Sequence, residues 1–98
     1  MKYLGKFTLT AYCACRKCCG KWSGGPTASG KMPKQGRTIA VDPNVIPLGT
    51  KISINGHTYT AEDTGSGIKG NKIDVFFNNH TEALNFGRKT EVKVYIVN

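Results

Sequence analysis

The sequence has no apolar run approaching the roughly 20 residues that a membrane-spanning helix needs, so a helical membrane protein is excluded. Nor is "MKYLGKFTLTAY" expected to be a secretory leader, since it alternates apolar with polar residues and has no continuous hydrophobic region. The chain as it stands is expected to be soluble, with export depending on a further segment or on release by cell lysis. Acids are scarce, six against fourteen Lys and Arg, leaving a net charge of +8. That balance predicts either a plain soluble basic surface or attraction to a polyanion such as nucleic acid, anionic membrane or anionic wall polymer. No block of five or six bases occurs, which argues against a disordered basic arm. The interleaved aromatic motif of single-strand binders is missing too, so no specific nucleic-acid partner is expected. There is no internal repeat, linker or low-complexity stretch. The 98 residues read as one domain and a monomer, too small to enclose a large cavity, and a ligand should lie in a groove.

The four cysteines form one cluster, Cys13, Cys15, Cys18 and Cys19, in "AYCACRKCCGKW". The spacing is more compressed than the two separated pairs of the usual zinc site. Three readings stand: a zinc site with His57 or His80 as an extra ligand, a disulfide such as Cys15 to Cys18, or reduced cysteines packed as small apolar groups. Apart from that zinc, no cofactor is expected.

Alternation in "KYLGKFTLTAY" predicts a first strand with Tyr3, Gly5, Phe7, Leu9 and Ala11 on one face. Periodicity then stops. From Cys13 to Arg37 the chain carries Pro26, Pro33 and five of its twelve glycines, a long Cys/Gly-rich loop of the kind that is more often functional than idle. "RTIAVD" is a short strand ended by Pro43 and Pro47. In "KISINGHTYTAED", Asn55-Gly56 joins two strands through a turn that needs positive φ at both central residues. "KIDVFF" is another strand. "NNHTEALNFG" is a short helix with Asn79 as N-cap, Glu82 completing a capping box and Gly87 as the stop, and "TEVKVYIV" is a last strand. About six strands and one short helix predict a small all-β barrel.

The chain has only three aspartates, Asp42, Asp63 and Asp74, each at or near a strand end. In "KIDVFF" alternation separates Ile73, Val75 and Phe77 from Asp74 and Phe76. Taken singly, Asp63 suits a cap on the "DTGSG" turn, and Asp74 suits an ion pair with Lys69 or Lys72. Taken together, two carboxylates at the ends of one glycine-rich loop can meet at the barrel mouth, where like charge and partial desolvation push one pKa upward. A carboxyl group that keeps its proton can act as general acid and then as base, as cleavage of a glycosidic bond requires. Gly65, Gly67 and Gly70 permit close backbone approach, while Thr64, Ser66 and Asn71 offer hydrogen bonds of the kind sugar hydroxyls take. Aspartic proteases use a similar "DTGSG" run, but they need a second copy from another lobe or subunit, and this chain has one.

The series "TAYC…CCGKWSG…TASG…GRTIAVDP…IPLGTKI…YTAEDTGSGIKGNKIDVFF" followed by "EALNFG" resembles the 3D domain, named for three aspartates, of small wall-remodelling proteins in Gram-positive bacteria and their phages. That domain is similar to the core of the membrane-bound lytic transglycosylase A family. The resemblance implies a six-stranded double-psi β-barrel. It also implies non-hydrolytic cleavage of the β-1,4 bond between N-acetylmuramic acid and N-acetylglucosamine in peptidoglycan, giving a 1,6-anhydro product at the cell wall. Asp74 would be the acid/base, with Asp63 and Asp42 as supporting carboxylates. Thr27, Ser29, Thr64, Gly65, Ser66 and Lys69 would contact sugar, and Trp22 would stack on a ring or sit in the core. The competing expectations are a hydrolase acting on the same bond and a non-catalytic, expansin-like glycan-binding barrel.

Overall fold

The computed structural model describes residues 1–13 and 26–97. Six strands, β1 (Lys2–Cys13), β2 (Thr38–Ala40), β3 (Lys51–Ile54), β4 (His57–Asp63), β5 (Lys72–Phe77) and β6 (Lys89–Ile96), close into a barrel in the order β1-β5-β2-β4-β3-β6. One helix, α1 (His80–Phe86), connects β5 to β6. Among the described residues the small all-β barrel with a single short helix is as the sequence predicts. Residues 14–25 of the Cys/Gly-rich loop lie outside the described residues.

The barrel interior is filled by Phe7, Leu9, Ile39, Val41, Ile46, Ile52, Ile54, Ala61, Ile73, Val75 and Val94. Most of these are β-branched, which suits a pleated and crowded lining. The β3–β4 hairpin turns at Asn55 (φ 51) and Gly56 (φ 81), the double positive φ that the Asn-Gly pair accommodates with little strain. The side chain of Asn79 accepts a hydrogen bond from the Glu82 N–H, and Gly87 N–H donates to the Ala83 carbonyl, so α1 begins and ends where its capping residues stand.

Two strands depart from the expected pattern. β1 does not keep one phase. Its pairing with β6 shifts between Tyr3 and Gly5, which places Leu4 as an extra residue packed against the core and leaves Tyr3 50% exposed. Tyr3 therefore does not share a face with Phe7 and Leu9. β2 is only three residues long, shorter than "RTIAVD" suggests. Past Ala40 the chain leaves the ladder into a turn in which Val45 and Ile46 donate to the Asp42 carbonyl.

Candidate active site on the outer face of the barrel

The geometry of the site follows from β2. Ala40 pairs with Asp74 of β5 on one side and with Asp63 of β4 on the other. Residues opposite one another in a ladder share a face, so the Asp63 and Asp74 side chains flank the Ala40 methyl about 10 Å apart at the Cα level, two strand spacings. Ile39 and Ala61 belong to the cluster that fills the barrel, while Ala40, also buried at 3% exposure, stands outside that cluster, so this shared face is the outer one. Strict alternation along β4 from Ala61 would turn Asp63 inward. A bulge prevents it: Ile39 pairs with Ala61, and the next pair is Ala40 with Asp63, leaving Glu62 as the inserted residue. Glu62 and Asp63 consequently both leave the interior. Glu62 is sealed beneath the chain ahead of β2, where its carboxylate accepts from Thr38 Oγ1 (2.7 Å) and Arg37 Nε (3.1 Å).

Each aspartate has a different set of partners. Asp74 is half-buried and accepts a 2.9 Å hydrogen bond from Thr10 Oγ1 of β1, its register partner. Loss of water raises its pKa above the ordinary carboxylate value; the Thr10 bond and the Lys72 charge oppose the shift, and the Asp63 charge adds to it. Desolvation leads and the second carboxylate contributes least, a different ranking from the like-charge coupling expected from sequence. Asp63 is tied by three donors. Thr64 N–H (2.9 Å) and Ala28 N–H (3.0 Å) bind Oδ1, and the Tyr12 hydroxyl (3.2 Å) binds Oδ2. The turn cap predicted for Asp63 is present, and the same carboxylate also gathers β1 and the loop before β2. Asp42, 7% exposed, accepts from Gly70 N–H (2.9 Å) and Asn44 N–H (3.0 Å). Its pKa is lowered chiefly by the Gly70 N–H, then by that of Asn44, against the effect of burial and with help from Lys69. Asp42 is thus an ionised clamp that fixes the end of the 64–71 loop two residues before β5.

The other sequence-predicted residues are distributed around this floor. Thr27 is buried, and its hydroxyl donates to the Lys31 carbonyl (2.8 Å), so the 2.9 Å contact with Ser29 is a bond that Ser29 donates. Ser29 itself is exposed, and its N–H donates to the Glu62 carbonyl (3.0 Å). Gly65 needs its missing side chain, since a Cβ there would lie 3.1 Å from Ile68 Cγ1. Ser66 and Lys69 are exposed on the same loop. Trp22, Cys15, Cys18 and Cys19 lie outside the described residues. Cys13 is buried with Sγ 3.8 Å from His80 Nδ1, whereas the ring of His57 donates from Nε2 to the Gly36 carbonyl (2.6 Å). His80 is therefore the histidine beside Cys13, and among the described residues no three His, Cys, Asp or Glu side chains converge on a common centre.

Sequence reasoning missed Thr10, Tyr12 and Ala40. Thr10 and Tyr12 stand in the "TAYC" motif and on one face of β1, a signal that was present without a role attached to it. Tyr12 also packs edge-on against Phe76, 5.4 Å between ring centroids, and so covers the β5 side of the groove.

A family profile described as 3D domain matches residues 37–98. The chain belongs to the 3D domain family. Within the same lineage of sequence, this 3D domain is 50% identical over 91 residues to YabE of Bacillus subtilis (strain 168), a protein named for a provisional role in cell wall shaping; the match covers 91% of this chain and 22% of YabE. It is 52% identical over 79 residues to the cell wall-binding protein YocH of the same organism, covering 76% of this chain and 27% of YocH. The chain spans about a quarter of the length of these curated relatives. In three dimensions the 3D domain is similar to the lytic transglycosylase MltA of Escherichia coli, with a TM-score of 0.62 and 21% identity over 80% of this chain and 28% of MltA. At that identity the likeness is one of fold. MltA has also been solved with bound chitohexaose.

Proposed function

We propose that this 3D domain acts at the bacterial cell wall as a lytic transglycosylase, cleaving the N-acetylmuramic acid–N-acetylglucosamine β-1,4 bond of peptidoglycan without water. The observation that carries this reading is Asp74: a carboxyl group on the outer barrel face, deprived of water, with its pKa raised and one oxygen held by Thr10. Such a group keeps its proton to higher pH and can give it to a substrate bound against that face. The fold shared with a lytic transglycosylase supports the same assignment, and a cell wall-binding relative supports the location.

The chemistry needs one such group. Asp74 gives its proton to the bridging oxygen as the C1–O4 bond breaks and positive charge develops on the muramyl ring. The C6 hydroxyl of that same ring then bonds to C1, and its proton passes to the Asp74 carboxylate, restoring the acid and closing the 1,6-anhydro product. Water is neither consumed nor positioned. Asp63, fixed by its three donors, supplies negative charge across the Ala40 floor from the developing cation. Asp42 holds the 64–71 loop through Gly70, and in this reading Thr64, Ser66, Ser29 and Lys69 contact sugar hydroxyls.

Digestion of purified peptidoglycan followed by mass spectrometry tests the assignment. Anhydro-muramyl ends are expected, and Asp74→Asn should lower their rate of formation at least about 100-fold while the protein stays folded. Reducing ends would assign a hydrolase instead. Retention on insoluble wall with no soluble fragment would assign the non-catalytic binding barrel instead; YocH is named for cell wall binding.

A further inference from the structure

The net charge of +8 is not expressed at the aspartate groove. Four of the six acids, Asp42, Glu62, Asp63 and Asp74, lie on β4, on β5 or just past β2, around that site. In the closed ring of six strands β6 stands opposite β2, three places away in either direction. The outer face of β6 and of the first residues of its neighbour β1 therefore looks away from the groove, and its composition is different. Tyr3 and Tyr95 are register partners there, with ring centroids 5.3 Å apart and planes inclined at 54°. The extra residue Leu4 is what turns Tyr3 outward. Lys93 lies two residues before Tyr95 on the same face, and the three side chains line an open hollow of about 270 Å³.

The lysine is the informative member. Lys93 sits directly across the ladder from Lys6, and like charges opposite one another are destabilising. Lys6 finds Glu91 at 3.5 Å, but Lys93 makes no ion pair among the described residues. A local rule broken with no gain to the fold points to a ligand that supplies the missing charge.

We propose that the Tyr3–Tyr95–Lys93 hollow is a second binding surface, for a glycan strand that carries carboxylate or phosphate groups. Tyrosine rings offer flat apolar faces to the C–H side of a sugar and hydroxyls to its rim, and the Lys93 ammonium is a point charge suited to an anionic substituent. At 5.3 Å between centroids the two rings pack on each other, so a ligand meets their outward faces and edges, inclined at 54° and not presented as parallel planes to successive nucleobases. With this surface opposite the groove, the domain can hold one strand of a charged wall while the aspartates address another. The inference does not depend on the reaction assigned to Asp74.

The test is calorimetric titration of the whole chain with an oligogalacturonate, a carboxylated sugar oligomer, against a neutral dextran oligomer and a single-stranded oligonucleotide of equal charge. Binding of the carboxylated oligomer is expected to weaken with added salt, and NMR should show shifts of the Tyr3 and Tyr95 ring protons on titration. Lys93→Gln and Tyr3→Ser should each weaken it about 5-fold or more with no change in products from soluble glycan. Lys93→Gln should keep or raise the thermal midpoint, since it removes the like-charge pair with Lys6, and Tyr3→Ser should lower it slightly through loss of the Tyr95 ring contact while the protein stays folded. No binding of the oligogalacturonate overturns the proposal, as do equal binding of dextran, tighter binding of the oligonucleotide, or unchanged affinity in both variants. A failure of peptidoglycan cleavage alone leaves this surface standing, because the titration reads binding only.

Discussion

Ala40 carries no functional atom, yet two aspartates face each other across it, and a larger residue there would fill the floor between them. The three carboxylates divide by environment. Asp42, bound by two backbone N–H groups, favours its charged form; Asp74, short of water, favours its protonated form. The stability consequences have opposite signs. Asp42 contributes stability above its ordinary value of 3.8, lost as pH falls through its lowered folded pKa. Asp74 has a raised folded pKa, so folding takes up protons between 3.8 and that value, and ionising Asp74 above the window weakens the fold. Asp74→Asn removes the ionisation while keeping an acceptor for Thr10. Its thermal midpoint should match the parent at pH 3 and rise above it as pH passes upward through the window, reaching a constant excess near neutrality. A midpoint unchanged at pH 7, or lowered there, would remove desolvation as the cause of the shift. A gain in stability with loss of cleavage would separate a strained functional carboxyl from a structural one.

Among the elements, the bulge at Glu62 matters most to the site, because without it Asp63 would point at Ala61's neighbours in the core. The inserted residue is held by Arg37: Nε lies 3.1 Å from Oε1 and 3.0 Å from Oε2, close enough for charge contact with both oxygens, but its N–H direction satisfies only Oε1. Arg37→Ala leaves a carboxylate that is 2% exposed without its cation. That should cost about 3 kcal/mol in denaturant unfolding, toward the low end for a broken buried pair because the arginine itself keeps contact with water. A loss below about 0.5 kcal/mol would show that Glu62 is neutral or solvated and that the bulge stands without the pair. This part of the site was not legible in the sequence. The Asn55-Gly56 turn and the Asn79 and Gly87 caps of α1 were, since each is a chemistry of adjacent residues acting on their own backbone. A bulge is a mismatch between two strands, and neither Glu62 nor Leu4 differs locally from a regular strand residue. The phase of Asp74 could be read because β5 has no bulge; those of Asp63 and Tyr3 could not.

At the scale of the molecule, strand number was legible and strand order was not. Only β3 and β4 follow one another in sequence and in the sheet by a tight turn; every other pairing joins strands separated by a loop, a helix or most of the chain. The first and last strands pair with each other and close the ring, so β1 has one complete edge only after β6 exists. Removing β6 opens two edges at once, those of β3 and β1, and takes Val94 out of the core beside Phe7, Ile52 and Ile54. A chain ending at Gly87 keeps the local signals, the Asn-Gly hairpin and both caps of α1, while losing closure. It should therefore show no cooperative thermal transition and little near-ultraviolet dichroism, even though residues 1–87 retain all three aspartates. A sharp transition in that fragment would mean that the five remaining strands form a stable open sheet, and that the face holding Asp63 and Asp74 does not depend on barrel closure. Absence of the transition, with recovery on adding a peptide of residues 88–98, would instead tie the groove on one side of the barrel to the strand on the other.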